Sequence, residues 1–145
     1  MGLTQEEADL LIGLPKKFES DDLLELGNVP LNYTRRLLSM NGREEFFFDV
    51  RRGSLNLKKY TLQNRARTIE TLVRVDIHGP PHRNPDGQVI PCPHIHIYKE
   101  GYNDKWAYPL TTHPFRDPED IIITFEDFAR FCNIVEYPDI QSKLV

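Results

Sequence analysis

The chain has 145 residues, 39% hydrophobic and 28% charged, with a net charge of −4. That balance suits a single globular domain over 1–145 with a real core, and excludes a disordered chain. No apolar run approaches the roughly 20 residues of a membrane span. The acidic start MGLTQEEADLLIGL reads neither as a secretory leader nor as a good myristoylation site. A cytoplasmic protein with free thiols at Cys92 and Cys132 is therefore expected.

Residues 1–30 read as a helix and a loop. Thr4 and Glu7 match a capping box, with Leu3 and Ala8 placed as a staple and Leu10, Leu11 and Leu14 on one face before Pro15 stops the helix. Residues 33–110 read as an antiparallel sheet. YTRRLLSMN and EEFFFDVRRG form the first strands, parted at Gly42. In LNLKKYTLQNR, Leu55 and Leu57 alternate with polar residues, the period of a half-buried strand. In TLVRVDIHG, Val73, Val75 and Ile77 share one face, and Leu72, Arg74, Asp76 and His78 share the other. GPPHRNPDGQVIPCP reads as a shaped loop, and HIHIYKE and KWAYPL as a hairpin around GYND. Residues 111–145 hold a terminal helix. Thr124 and Asp127 serve as its start signal, and Phe125, Phe128, Ala129 and Cys132 form its apolar stripe. The expected fold is α+β, a single twisted antiparallel sheet with both helices packed on one face.

Charge is uneven. Residues 51–67 (RRGSLNLKKYTLQNRAR) carry six basic side chains and no acidic one, between acidic ends. Such a block either binds an anion or is neutralised by those ends in the fold. Lys58, Lys59, Gln63, Arg65 and Arg67 are candidate phosphate contacts.

The strongest chemical signal is the pair His94 and His96, followed by Tyr98. Alternate residues of a strand share a face, so these three should project together beside Arg74 and Asp76. Two imidazoles suit general acid and base cleavage of an RNA phosphodiester, with no metal or other cofactor. Tyr98 would orient the leaving group and Arg74 would stabilise charge. His82 and Arg83, on the proline-rich loop, would contact substrate from above. Two alternatives stand beside this reading. H-x-H-x3-E looks like the first metal motif of the cupins, without its second histidine motif, and Cys92 and His82 could complete a ligand set; His113 lies in a different setting. Otherwise the histidines are structural, and the aromatic hairpin with Trp106 and Tyr108 packs in the core or docks a protein.

KKYTLQNRAR, VRVDIHGPPHRNPDGQVIPCPHIHIY and EGYNDKWAYPL, with LTQEEADLLIGLPKKF, resemble an uncharacterised family of small bacterial and phage proteins. Over about residues 72–98, a strand ending in Asp, a Gly-Pro-His loop and a His-x-His strand also look like the TumE-like toxins of toxin–antitoxin modules, which are regarded as endoribonuclease-like. That likeness implies an RNA substrate and an antitoxin partner, with Arg74, Asp76, His82, His94 and His96 as matching positions. The chain departs from it in a longer N-terminal part and the long proline-rich loop. A phage or mobile-element protein that blocks a host defence protein is the non-catalytic alternative. Self-association is left open.

Overall fold

The structure is a computed structural model that describes residues 2–141. In chain order it contains helix α1 (Gln5–Gly13), strands β1 (Lys16–Phe18), β2 (Leu24–Glu25), β3 (Leu31–Ser39), β4 (Glu45–Arg52), β5 (Tyr60–Ala66), β6 (Glu70–Ile77), β7 (His82–Arg83), β8 (Val89–Ile90), β9 (His94–Ile97) and β10 (Ala107–Pro109), a 3-10 turn (Leu110–Thr112), helix α2 (Ile121–Phe131), and strands β11 (Ile134–Glu136) and β12 (Ile140–Gln141). Among the described residues no helix is long and apolar enough to cross a membrane.

The fold is α+β. Eight strands form one sheet in the order β10-β9-β6-β5-β4-β3-β1-β11. Neighbours pair antiparallel from β1 through β10, but β11 joins β1 in parallel, so the sheet is mixed, not purely antiparallel as expected. The chain leaves α2, turns at Asn133 and lays Ile134 beside Lys16. β1 itself lies in a stretch that reads as loop, because three residues carry no usable period. Two short ladders, β2 with β12 and β7 with β8, sit outside the main sheet.

One face of the sheet is apolar. Phe46, Phe48, Val50, Leu62, Val75 and Ile95 are buried there with Phe125 and Phe128 of α2. Phe48 and Phe125 meet edge to face at 5.3 Å between ring centres, the arrangement that aromatic quadrupoles favour. The stripe Phe125, Phe128, Ala129 and Cys132 is buried throughout. The start of α2 differs from expectation. Asp120 caps it, accepting from the N–H groups of Ile122 and Ile123. Thr124 instead lies inside the helix, its hydroxyl donating to Asp117 O and meeting Tyr60 Oη at 2.8 Å. Asp127 is buried and accepts from Arg116 and Arg130.

At the other end the capping box forms as expected: Thr4 Oγ1 accepts from Glu7 N–H and Glu7 Oε1 from Thr4 N–H. Ala8 and Leu11 are buried, whereas Leu10 faces solvent. The buried Lys16 ties both helices together. Its ammonium donates to Ile12 O, Leu14 O and Cys132 O, carbonyls at the C-terminal ends of α1 and α2, where helix dipoles favour a cation. Burial still pushes it down to about 8. Cys92 and Cys132 are free thiols.

Two strand readings need correction. Leu55 and Leu57 lie in the loop between β4 and β5 and are exposed. Asn56 turns the chain there, accepting from the N–H groups of Lys58 and Lys59, so their alternation has no ladder to sit in. Leu72 is buried, not on the polar face. The β5–β6 register shifts between Asn64 and Arg65, and Leu72 and Val73 both turn inward. An extra residue in one strand breaks the alternation beyond it.

Candidate active site

The opposite face of the sheet gathers the polar chemistry, and strand register does the gathering. Pairing across β4, β5, β6 and β9 sets Arg51, Thr61, Asp76 and His94 in one row, and Asp49, Gln63, Arg74 and His96 in the next. Valine and isoleucine at the intervening positions fix which way each strand faces, since a slip of one residue would exchange core for surface. The expected meeting of Arg74, Asp76, His94 and His96 is therefore present.

Asp76 is the hub. Its Oδ2 lies 3.1 Å from His94 Nε2, 3.2 Å from His96 Nε2 and 3.2 Å from Arg74 Nε, and its Oδ1 accepts from Thr61 Oγ1 at 2.9 Å. Burial alone would raise its carboxyl, but hydrogen bonds from His94 and His96 and the charge of Arg74 overcome this and hold it well below the usual carboxylate range. Arg74 also reaches His96 Nε2 at 3.0 Å and Asp104 Oδ2 at 2.8 Å.

The histidines are not equivalent. His96 Nδ1 lies 2.7 Å from Asp104 O. A carbonyl only accepts, so Nδ1 carries a hydrogen; in the neutral ring Nε2 then accepts from Arg74, and only the protonated ring donates from Nε2 to Asp76. His94 turns Nε2 to Asp76, and its buried Nδ1 has no hydrogen-bond partner among the described residues. His94 and His96 are only 2% and 1% exposed. His82, half-buried on β7, comes down over them: its ring is 4.6 Å from that of His96, edge-on, and 6.1 Å from that of His94. His82 Nε2 donates to Lys105 O at 2.7 Å, which leaves Nδ1 as its exchangeable nitrogen. The proline-rich loop thus carries an imidazole to the site.

These groups line a cleft of about 310 Å³, together with Arg51, Lys59, Gln63 and residues 79–81. Three cations face one carboxylate in its wall. Arg51 and Lys59 form no ion pair or side-chain hydrogen bond among the described residues. Arg51, Thr61 and Asp104 were not singled out in the sequence, although Arg51 opens the basic block.

Other candidates lie elsewhere. Tyr98 does not join the histidines. Its N–H donates to Leu72 O, beside the register shift, and its hydroxyl accepts from Leu3 N–H at 2.7 Å and donates to Leu3 O at 2.8 Å, pinning the N-terminal segment. Gly2, at φ +88°, passes so close that an added Cβ would lie 2.9 Å from that hydroxyl. Arg65 is held by Asp49, Arg67 lies near Glu7 and Glu44, and Lys58 is exposed in the loop. Arg83 donates to Gly87 O within its own hairpin. In the cupin-like reading, Glu100 accepts from Gln5 N–H and is not at the cluster. Cys92 Sγ contacts Gly79 N and Asp76 O, and burial pushes its thiol up, unlike a nucleophile. Trp106 is half-buried against Tyr102, its Nε1 without a hydrogen-bond partner among the described residues, and Tyr108 packs on the core.

Residues 3–134 match a family of unknown function, DUF6978. The chain belongs to that family. No curated protein and no solved structure matches it. Within this DUF6978 chain the matched span contains every residue of the cleft and its supporting strands, together with α1 and α2.

Proposed function

We propose that the protein is a metal-independent endoribonuclease that cleaves RNA by transfer to the 2′-hydroxyl. The observation that carries the reading is the cleft in which the imidazoles of His96 and His82, each with one nitrogen committed to a backbone carbonyl, adjoin three cations. A phosphodiester drawn in by Arg51 and Lys59 would take up the guanidinium of Arg74 and release the His96 lone pair. His96 then removes the proton from the 2′-oxygen. The 2′-oxygen–phosphorus bond forms, the bond from phosphorus to the 5′-oxygen breaks, and protonated His82 gives its Nδ1 proton to that leaving oxygen. The products are a 2′,3′-cyclic phosphate and a free 5′-hydroxyl. Arg74, Arg51 and Lys59 stabilise the charge that gathers on the phosphorane oxygens. His94, whose second nitrogen is sealed from the cleft, is a positioning residue for Asp76, which in turn orients His96 and Arg74. The toxin role, with an antitoxin as partner, follows from the short TumE-like motif and belongs to this proposal.

A second reading has one observation in its favour. The ligand atoms of Asp76, His94 and His96 lie within 4.8 Å of one another, close enough to share a divalent ion. Against it, Arg74 already engages two of those atoms, so an ion between them would sit beside a guanidinium. Incubating the purified protein with total RNA, with and without chelator, separates the two. The ribonuclease reading expects cleavage that survives chelation and disappears in His82→Ala and His96→Ala. Cleavage abolished by chelator and restored by zinc supports the metal site instead.

A further inference from the structure

A second, more apolar pocket of about 610 Å³ opens next to the histidine cleft, between Pro30 and the loop that joins β4 to β5. The two share Arg51, Lys59 and Thr61 in their walls, so they lie side by side. The loop is braced from below: Arg52 donates to Leu57 O and to Leu26 O, both at 3.0 Å. On this braced loop Leu55 stands fully exposed, at 103%. An exposed apolar side chain at the rim of a pocket, near two cations that form no ion pair among the described residues, suits a ligand with a flat apolar body and a phosphate beside it.

We propose that this pocket is the subsite for the nucleoside next to the cleaved phosphate, its base lying against Leu55 and Pro30 while Arg51 and Lys59 hold the phosphate between the two pockets. The proposal rests on the ribonuclease reading and gives it a substrate class: single-stranded RNA of at least two nucleotides, whose unpaired base can enter the pocket. Base-paired RNA would be excluded, because its bases are not free to turn into the pocket.

Two measurements test it, using the full chain, wild type, Leu55→Ser, and Leu57→Ser as a control. Leu57 is exposed on the same loop but outside the pocket lining. In the first, fluorescence titration follows uncleavable 2′-O-methyl hexanucleotides, each with 2-aminopurine at one position. Binding should change the fluorescence at one position, weaken by about fivefold in Leu55→Ser, and stay unchanged in Leu57→Ser. In the second, cleavage kinetics should show KM raised about fivefold in Leu55→Ser with kcat retained. Equal binding and equal KM in wild type and Leu55→Ser would overturn the subsite while leaving the ribonuclease intact. A fluorescence response that depends on Leu55, in a protein that cleaves no RNA, would instead remove the ribonuclease reading and keep a nucleotide-binding pocket.

Discussion

The two ends of the basic block, residues 51–67, meet different fates on one sheet. At the far end Arg65 is consumed. Its guanidinium grips Asp49 through Nε at 2.6 Å and Nη2 at 2.9 Å, and stacks over Phe47. Arg67 lies 3.6 Å from Glu7 and from Glu44. At the near end Arg51 and Lys59 form no ion pair among the described residues and line the histidine cleft. Charge counted along a sequence therefore overstates an anion site. What matters is which cations the fold leaves without a carboxylate. Arg65 answers to the strand opposite, where Asp49 is two residues from Arg51, and only the register reveals that.

This contrast can be broken at several points. The largest effect belongs to the cleft itself: His96→Ala should lower kcat by about 10²- to 10⁴-fold in RNA cleavage assays, and His82→Ala by a similar factor. His94→Ala should cost less, since it acts through Asp76. Equal losses in His94→Ala and His96→Ala would undo the division of roles.

Removing Arg65 should strike stability rather than chemistry. Asp49 is buried; burial raises its carboxyl, and Arg65, Thr34 and Gln63 bring it below its usual value. Arg65→Ala leaves that carboxylate without its cation and should cost about 3 kcal/mol in urea unfolding, with kcat per folded molecule unchanged.

The pH dependence has a definite sign. Asp76 has a folded-state pKa below its unfolded one, so its contribution to stability is complete above the unfolded value near 4 and is lost as pH falls below it. Unfolding midpoints measured from pH 2 to 6 should therefore fall less steeply toward acid in Asp76→Asn than in wild type.

The smallest effects compare the free and the paired surface cations. Lys59→Ala should raise KM for RNA about tenfold and flatten its salt dependence by roughly one phosphate contact, with stability within about 0.5 kcal/mol of wild type. Arg67→Ala should change neither KM nor, by more than about 0.5 kcal/mol, stability.

Much of this was legible in the sequence for physical reasons. Alternation in VRVDI and HIHI dictates that Arg74, Asp76, His94 and His96 face away from the core, and β6 and β9 do pair. The capping box and the stripe of α2 are local signals, and local signals survive folding. What could not be read depends on pairing between distant segments. Three residues after α2 join β1 in parallel without any period to announce it. The register shift near Leu72 diverts Tyr98 from the site to Leu3. Leu55 and Leu57 imitate a strand because alternation is necessary for a ladder but does not supply its partner. His82 stood out as a loop residue, yet its place over His96 depends on Lys105 O, 23 residues away in sequence.

The most direct test uses a short oligonucleotide with a single ribose, all other sugars being 2′-deoxy, followed by mass spectrometry in the presence of chelator. The account predicts one cut, at that ribose, leaving a 2′,3′-cyclic phosphate and a 5′-hydroxyl, and no cut with His96→Ala. Cleavage of the all-deoxy strand, a linear 5′-phosphate product, or full activity in His96→Ala would contradict it.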